Sequence, residues 1–184
     1  MSEGHLIPVV LETALGTIEI EINAGAAPIT AANFLSHVDQ GLYDNGIFHR
    51  TVTLVNQRDL TAATSNSDVV IEVIQGGINP RKLPDNLKPI PLERTRDTGL
   101  LHTDGAVSMG RSSADSAVEQ FFICIGDQPL LDFGGARNAD GQGFAAFGRV
   151  IAGMDVARKI QAAPVLSRTQ NLEPPIGIVR ARRK

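Results

Sequence analysis

The side chains best suited to chemistry lie in three short segments: F-H-R at 48–50, Q-G-G at 75–77 and Q-F-F-I at 120–123. Arg50 offers a permanent positive charge and rigid donor geometry, which suits electrostatic stabilisation of a substrate better than proton transfer. Gln75 is a neutral donor and acceptor that could position such an arginine. From the local sequence alone, Arg50 could instead be a surface arginine whose stem packs along a strand.

Short strands and two helices must hold these segments in place. Apolar and β-branched runs, one of them with a clear period of two, predict strands at about 9–13, 17–22, 48–55, 69–74, 106–109, 121–125, 145–151 and 176–182. One amphipathic helix is predicted to begin with Thr30 as its N-cap and to end at Gly41. A second is predicted over about 154–163, before Pro164. Because strands and helices do not alternate, the order favours an antiparallel barrel or sandwich over a parallel sheet.

The composition indicates one globular domain. The chain has 184 residues, 42% of them hydrophobic, and its net charge of −3 argues against nucleic-acid binding through phosphate neutralisation. No apolar run is long enough to cross a membrane, and no export signal is recognisable. We therefore expect a cytoplasmic protein, with a periplasmic or secreted one open if a leader was removed. No self-association signal stands out, so a monomer is expected.

Several short patterns resemble metal-binding or cofactor-binding motifs but lack residues or a context that those motifs require. A dinucleotide-binding loop is followed by a helix, whereas the G-x-G-x-x-A pattern at 141–146 is followed by a strand-like run. The segment 138–141 resembles the start of a calcium loop but lacks the required ligands. Four histidines without metal spacing and the single cysteine, Cys124, argue against a zinc site, and one cysteine excludes an intrachain disulfide. A serine hydrolase would need G-x-S-x-G, which is absent. We expect neither a metal nor a cofactor.

Five short motifs follow one another in a fixed order. They are F-H-R at 48–50, Q-G-G at 75–77, S-M at 108–109, Q-F-F-I at 120–123 and F-G-x-V at 147–150. In this order they resemble the cyclophilins, the family of peptidyl-prolyl cis-trans isomerases. The resemblance implies a mainly β fold, a closed eight-stranded antiparallel barrel capped by two helices. It covers a single domain over 8–182, preceded by an N-terminal extension at 1–7.

The resemblance also implies the chemistry, which twists an amide bond without breaking it. Rotation about an X-Pro bond must overcome a barrier of about 18–20 kcal/mol that amide resonance imposes. By resemblance, Arg50 is the catalytic arginine that stabilises the twisted amide, Gln75 orients it, and Phe122 is the floor of the proline pocket. Phe121 should face the core, because side chains alternate along a strand. The implied partners are proline-containing segments of unfolded or partly folded proteins.

A further set of residues is placed in the substrate groove by the same resemblance. These residues would hold the proline ring or align the peptide: Val73, Gly110, Arg111, Gln120, Leu130, Leu131 and Phe144. Several of them depart from the residues that the family usually has. Gly110 and Arg111 replace a common Ala-Asn pair, so only their backbone is expected to grip the peptide. Leu130 and Phe144 replace a tryptophan and a histidine that many members carry.

Two long segments interrupt the predicted strands. They span about 56–68, which is rich in Asn, Ser, Thr and Asp, and about 78–103, which contains four prolines. Loops of this length are commonly functional or mobile. Decoration of the surface is the equally open alternative.

The altered rim of the pocket leaves a second function open, a non-catalytic peptide-binding or chaperone module on the same barrel. Departures from the usual family residues favour that alternative, and they lie at Glu72, Arg111, Leu130 and Phe144. Retention of Arg50 favours an isomerase, since binding alone does not require this residue. An active isomerase with a narrower or altered pocket is therefore the main prediction.

The missing tryptophan predicts weak inhibition by cyclosporin. The chain contains no tryptophan, and Leu130 cannot supply the indole N–H that cyclosporin typically uses in this family. A titration of cyclosporin against isomerase activity should therefore show poor inhibition. Inhibition at nanomolar concentrations would contradict this prediction.

Overall fold

The computed structural model describes residues 5–58 and 69–184. Within these ranges, eight strands form one closed antiparallel barrel in the order β1-β2-β7-β5-β6-β4-β3-β8. The strands are β1 (Leu6–Thr13), β2 (Gly16–Asn23), β3 (Gly46–Val52), β4 (Val73–Gly77), β5 (Ala106–Met109), β6 (Phe121–Cys124), β7 (Ala146–Ala152) and β8 (Asn171–Arg183). The α-helices are α1 (Pro28–Asp39), α2 (Leu54–Arg58), α3 (Thr95–Thr98) and α4 (Met154–Gln161). The fold implied by the resemblance is confirmed.

Side chains fill the interior of the barrel. Phe34, Tyr43, Phe48, Phe121 and Phe147 are fully buried there, and their ring centroids lie 5.1 to 5.7 Å apart where they touch. Inward-facing aliphatic residues of the strands and the buried faces of α1 and α4 complete this core. Phe121 therefore faces the core, as predicted from the alternation of side chains.

A β-bulge in β3 makes the first and last residues of the F-H-R motif, Phe48 and Arg50, face opposite sides of the sheet. Phe48 pairs with Gly76, and Arg50 pairs with the very next residue of β4, Gln75, so His49 is the extra residue. The pairing with β8 is also irregular here, because the partner changes from Ile176 at Phe48 to Asn171 at Arg50. In a regular strand, positions 48 and 50 would face the same side of the sheet. With the bulge, Phe48 is buried in the interior and Arg50 lines a cavity on the outer face.

A second, smaller apolar cluster lies on the outer face of the barrel. Its buried members come from the strands around β4 and β6 and from the segments beside them: Val52, Ile71, Val73, Ala106, Phe122, Cys124 and Leu131. Phe144 packs against this cluster. Consecutive residues of β6 thus serve different layers, since Phe121 and Ile123 belong to the interior while Phe122 and Cys124 belong to the outer cluster.

Helix α1 begins earlier than predicted and is capped by a distant carboxylate. It starts at Pro28 after Ala27, so the assignment of Thr30 as N-cap is wrong. Proline at the first position fixes a helical φ and has no N–H to satisfy. Glu93 accepts the backbone N–H groups of Ile29 (3.1 Å) and Thr30 (2.8 Å), and the Thr30 hydroxyl donates to it at 2.7 Å. Position 93 belongs to the long segment 78–103, which is thereby tied to α1.

Other boundaries shift where turn chemistry overrides the hydrophobic pattern. The strand predicted at 48–55 ends at Val52, because the Thr53 and Asn56 side chains bond each other's backbone N–H and start α2. Strand β8 is longer than predicted, and the segment 78–103 contains α3 and a 3-10 turn at Pro80–Lys82. Of the loop predicted at 56–68, residues 59–68 lie outside the described residues. Across 5–58 and 69–184, no helix has both the length and the apolar character needed to cross a membrane.

The capping carboxylate predicts a stability effect. Glu93→Ala leaves two backbone N–H groups and a hydroxyl of α1 without their acceptor and removes a negative charge from the helix N-terminus. We expect the free energy of unfolding to fall by about 1–2 kcal/mol, measured by urea denaturation. Asp85→Ala, an exposed residue of the same segment, is the matched control. Equal losses in the two variants would contradict the capping role.

Candidate active site

A cavity of about 180 Å³ opens on the outer face of the barrel, above the second apolar cluster. It is lined by residues from three strands, β3, β4 and β6, and from the adjoining segments: Arg50, Ile71, Val73, Gln75, Gly110, Arg111, Phe122, Leu131, Arg137, Asn138 and Phe144. The structure thus brings together all the predicted site residues except two. Gln120 lines a neighbouring cavity, and Leu130 is 41% exposed outside both linings.

The floor of the cavity is apolar and aromatic. Phe122 is 5% exposed and packs with Val73 and Leu131 in the outer cluster. Phe144 stands edge-on to Phe122, with ring centroids 5.3 Å apart and an interplanar angle of 89°. This arrangement is favourable for two aromatic rings and forms an apolar surface at the base of the cavity.

His102 supports the floor from the buried side, and sequence reasoning missed this role. Its ring stacks on Phe122 at 5.9 Å between centroids and 14° between planes. Nδ1 bonds Asp132 Oδ1 at 2.7 Å, and Nε2 bonds Ser108 Oγ at 2.9 Å. The contacts resemble a Ser-His-Asp triad, but Ser108 is 0% exposed, so no substrate reaches its hydroxyl. The network fixes the ring that underlies Phe122; at the sequence level, this histidine was weighed only as a metal ligand.

Arg50 is held between two amide oxygens. Gln170 Oε1 accepts hydrogen bonds from Nε at 2.9 Å and from Nη2 at 2.6 Å, and Gln75 Oε1 accepts one from Nη1 at 2.9 Å. Burial, together with the nearby positive charge of Arg137, lowers the pKa of Arg50 to about 10. The guanidinium therefore keeps its charge at neutral pH. Gln170 lies 120 positions from Arg50, and nothing in the sequence pattern points to it.

Gln75 links the arginine to the neighbouring cavity. Its oxygen accepts from Arg50, and its Nε2 donates to Gln120 Oε1 at 2.6 Å. The two contacts determine which way the amide points, because its oxygen must face the guanidinium. The hydrogen bond places Gln75 where it can orient Arg50, and its role in catalysis stays a prediction.

Arg111 lines the cavity with its side chain, whereas only its backbone was expected to matter. The guanidinium forms a bidentate pair with Asp140 at 3.0 Å, and Nε donates to the Gly143 carbonyl at 2.9 Å. It lies 5.2 Å from the centre of the Phe144 ring, within cation–π range, and the side chain is only 1% exposed. Arg111 is therefore a fixed wall between the two cavities, and its charge is compensated.

A second cavity, of about 570 Å³, adjoins the first and shares Gln75, Gly110 and Arg111 with it. Its apolar wall includes Leu83, Pro84 and Leu87, which belong to the long segment 78–103. This segment thus forms part of a groove and is not only surface decoration. Among the described residues, no group of three His, Cys, Asp or Glu side chains is arranged to hold a metal ion.

Glu119 supports the wall of the second cavity from within. Its Oε2 accepts the Ile78 N–H at 2.9 Å, and its backbone carbonyl accepts the Tyr43 hydroxyl at 2.7 Å. A side chain at position 77 would collide with the Glu119 carboxylate, which explains the second glycine of Q-G-G. The first, Gly76, leaves room for the backbone carbonyl of Ile47 on β3.

Comparisons with known proteins agree with this architecture. Residues 8–183 match the family described as cyclophilin type peptidyl-prolyl cis-trans isomerase. A peptidyl-prolyl cis-trans isomerase of Acinetobacter baylyi is 36% identical over 155 residues, which cover 84% of this chain and 71% of the relative. Peptidyl-prolyl cis-trans isomerase A of Dickeya dadantii is 33% identical over 167 residues, covering 90% and 75% of the two chains.

Solved structures share the fold. The crystal structure of a cyclophilin type isomerase of Cryptosporidium parvum superposes with a TM-score of 0.74 and 20% identity, covering 98% of both chains. A structure of the same protein in the presence of the dipeptide Ala-Pro superposes with a TM-score of 0.72. The outer-face cavity, the motif order and the matched family together assign the chain. It belongs to the cyclophilin-type peptidyl-prolyl cis-trans isomerases.

Proposed function

We propose that this isomerase binds the proline ring of its substrate on Phe122 and twists the X-Pro bond beside Arg50. One observation carries the proposal: a charged arginine is fixed next to an apolar floor in the same cavity. A guanidinium has five N–H groups, of which three donate to Gln75 and Gln170. Two N–H groups of Arg50 therefore remain for a substrate, and the guanidinium that carries them is already held in place by two amide oxygens.

The cation supplies the stabilisation that the twisted amide needs. As the C–N bond rotates, resonance is lost and the lone pair localises on the prolyl nitrogen, which then accepts a hydrogen bond. A donor that is already oriented in a partly dry cavity stabilises this state more than the planar one, and this difference lowers the barrier. No bond to the substrate is made or broken, so the chemistry requires neither a metal nor a cofactor.

The remaining predicted residues align the peptide in this proposal. Val73 and Leu131 flank the ring together with Phe122, and Phe144 closes the side of the cavity. The backbone of Gly110 would bond the residues that precede proline, which then continue past Gln120 into the second cavity. Leu130, outside the linings, is proposed to contact only a longer substrate at the rim. The substrates are X-Pro segments of unfolded or partly folded proteins.

We also propose that the protein works as a cytoplasmic monomer without a nucleic-acid or membrane partner. The net charge of −3 supports the absence of a nucleic-acid partner, since phosphate binding relies on excess positive charge. Its single cysteine, which is buried, is compatible with a reducing compartment.

Arg50→Ala tests the catalytic role of the guanidinium. The variant should lower kcat/KM for a short Ala-Pro peptide by about 10²–10³-fold, because a preorganised donor to the developing lone pair is lost. Peptide affinity should change far less, since the apolar floor remains. Exchange NMR with and without enzyme measures both quantities.

The matched control for this substitution is Arg158→Ala. Arg158 is 50% exposed on α4, pairs with Asp104, and lies outside the cavity linings, so its loss should leave turnover unchanged. Gln170→Leu removes one acceptor that positions Arg50 and should cause a smaller loss than Arg50→Ala. Full activity of Arg50→Ala would show that another residue carries the chemistry.

The mechanism also predicts the pH profile. If Arg50 acts as a fixed cation with a pKa of about 10, kcat/KM should be constant between about pH 6 and 8.5 and fall only as the pH approaches and passes this pKa. The sign follows from the charge, because the protonated guanidinium is the active form. A bell-shaped profile centred near neutrality would indicate acid–base catalysis instead.

A further inference from the structure

A third arginine, Arg137, lines the first cavity beside Arg50 and Arg111 and has no role in the chemistry above. Arg137 is held by its backbone N–H, which donates to the Leu130 carbonyl at 3.2 Å, and by Nη1, which donates to the Val69 carbonyl at 3.0 Å. Its charge is close enough to Arg50 to disfavour the charge of that residue. The positive charges of Arg50 and Arg137 thus lie near each other in one small cavity.

Neither of these arginines is neutralised within the part of the chain that the structure describes. The contacts of Arg50 go to amide oxygens and the contact of Arg137 goes to a carbonyl, whereas Arg111 in the same cavity carries a bidentate carboxylate. Charges in a partly closed cavity are poorly screened by solvent. Within residues 5–58 and 69–184, the cavity therefore carries positive charge that no carboxylate offsets, and a negative group would be drawn toward it.

The neighbouring residue adds an unused hydrogen-bond donor. Asn138 also lines the cavity, and its Nδ2 atom is buried without a hydrogen-bond partner among the described residues. Buried amide groups in folded proteins are nearly always paired, so an unpaired one next to an open cavity indicates that the acceptor comes from a ligand. Because Arg137 and Asn138 line the same cavity, a ligand bound there can meet both of them.

The position of these two residues identifies which part of a peptide they meet. Arg137 and Asn138 line the first cavity only, whereas Gln75, Gly110 and Arg111 are shared with the second. If the residues that precede proline continue into the second cavity, the residue that follows it lies on the side of Arg137. This step rests on the proposed function, which fixes the proline on Phe122.

We propose that Arg137 and Asn138 form an anion subsite that selects substrates with a carboxylate directly after the proline. The carboxylate is the side chain of an aspartate or glutamate, or the terminal carboxylate of a chain that ends in proline. Arg137 supplies the charge and Asn138 a neutral donor, the pairing expected for a carboxylate with two acceptor oxygens. The isomerase thereby prefers acidic sequences without altering the chemistry at Arg50.

Matched peptides test the preference. We would compare Ala-Ala-Pro-Glu with Ala-Ala-Pro-Gln, both with blocked ends, and Ala-Ala-Pro with a free carboxylate against its amide. The glutamate or terminal-carboxylate peptide should be turned over with a kcat/KM about fivefold above its neutral partner at low salt, and the ratio should shrink as salt is added. Whichever pair shows the preference identifies the source of the carboxylate.

Two variants locate the preference. Arg137→Gln removes the charge, and Asn138→Asp places a carboxylate beside an intact Arg137; in both, the ratio should fall to about one or below. Arg158→Met, an equal loss of charge outside the cavities, should keep the wild-type ratio. The ratio is the readout, because a merely structural role of Arg137 would reduce turnover of both peptides alike.

Two outcomes would overturn the subsite: a wild-type ratio of one in both pairs, or a ratio that survives Arg137→Gln. These failures differ from failure of the proposed function. Turnover of the glutamine peptide by the wild-type protein supports the site on Phe122 and Arg50 whatever the ratio is. Absence of turnover for every peptide would instead reject the proposed site itself.

Discussion

The bulge at His49 is the constraint on which the site depends. In a regular strand without the bulge, Arg50 would face the same side as Phe48. Its guanidinium would then be buried among the aromatic rings of the interior, where an unpaired charge is strongly unfavourable. One extra residue shifts the pairing with β4, so that Phe48 stays inside while Arg50 meets Gln75 on the outer face. In the F-H-R motif, Phe48 thus belongs to the core and Arg50 to the cavity, and His49 between them has no partner residue on β4.

The same strands build two layers at once. In β6, Phe121 contributes to the barrel core and Phe122 to the floor of the cavity, and in β4 Ile74 and Val73 divide in the same way. Because each layer is close-packed, the floor inherits the rigidity of the barrel. The polar contacts lie above it as a chain from Gln170 through the guanidinium of Arg50 to the amides of Gln75 and Gln120. The chain connects the two cavities, and Arg50 is its one charged member.

Sequence reasoning reached most of the fold and of the cavity, and its gaps have physical causes. Motif order and side-chain alternation sufficed for the barrel and for the opposite facings of Phe121 and Phe122. The bulge at His49 has no signature in a single sequence, since it depends on pairing with other strands. The supports of the site, Gln170 and His102, are distant in sequence and have residue types that occur anywhere. The side chain of Arg111 was undervalued because its partner, Asp140, lies in a loop whose path only the structure gives.

The lone thiol of the chain lies under the floor of the cavity. Cys124 is 0% exposed within the outer cluster that contains Phe122, and burial together with nearby carboxylates raises the pKa of the thiol far above its usual range. A reagent that needs a thiolate therefore reacts only from conformations in which that cluster has opened. The rate at which Cys124 is modified therefore reports how often the outer cluster opens. A proline ring bound on Phe122 should lower that rate.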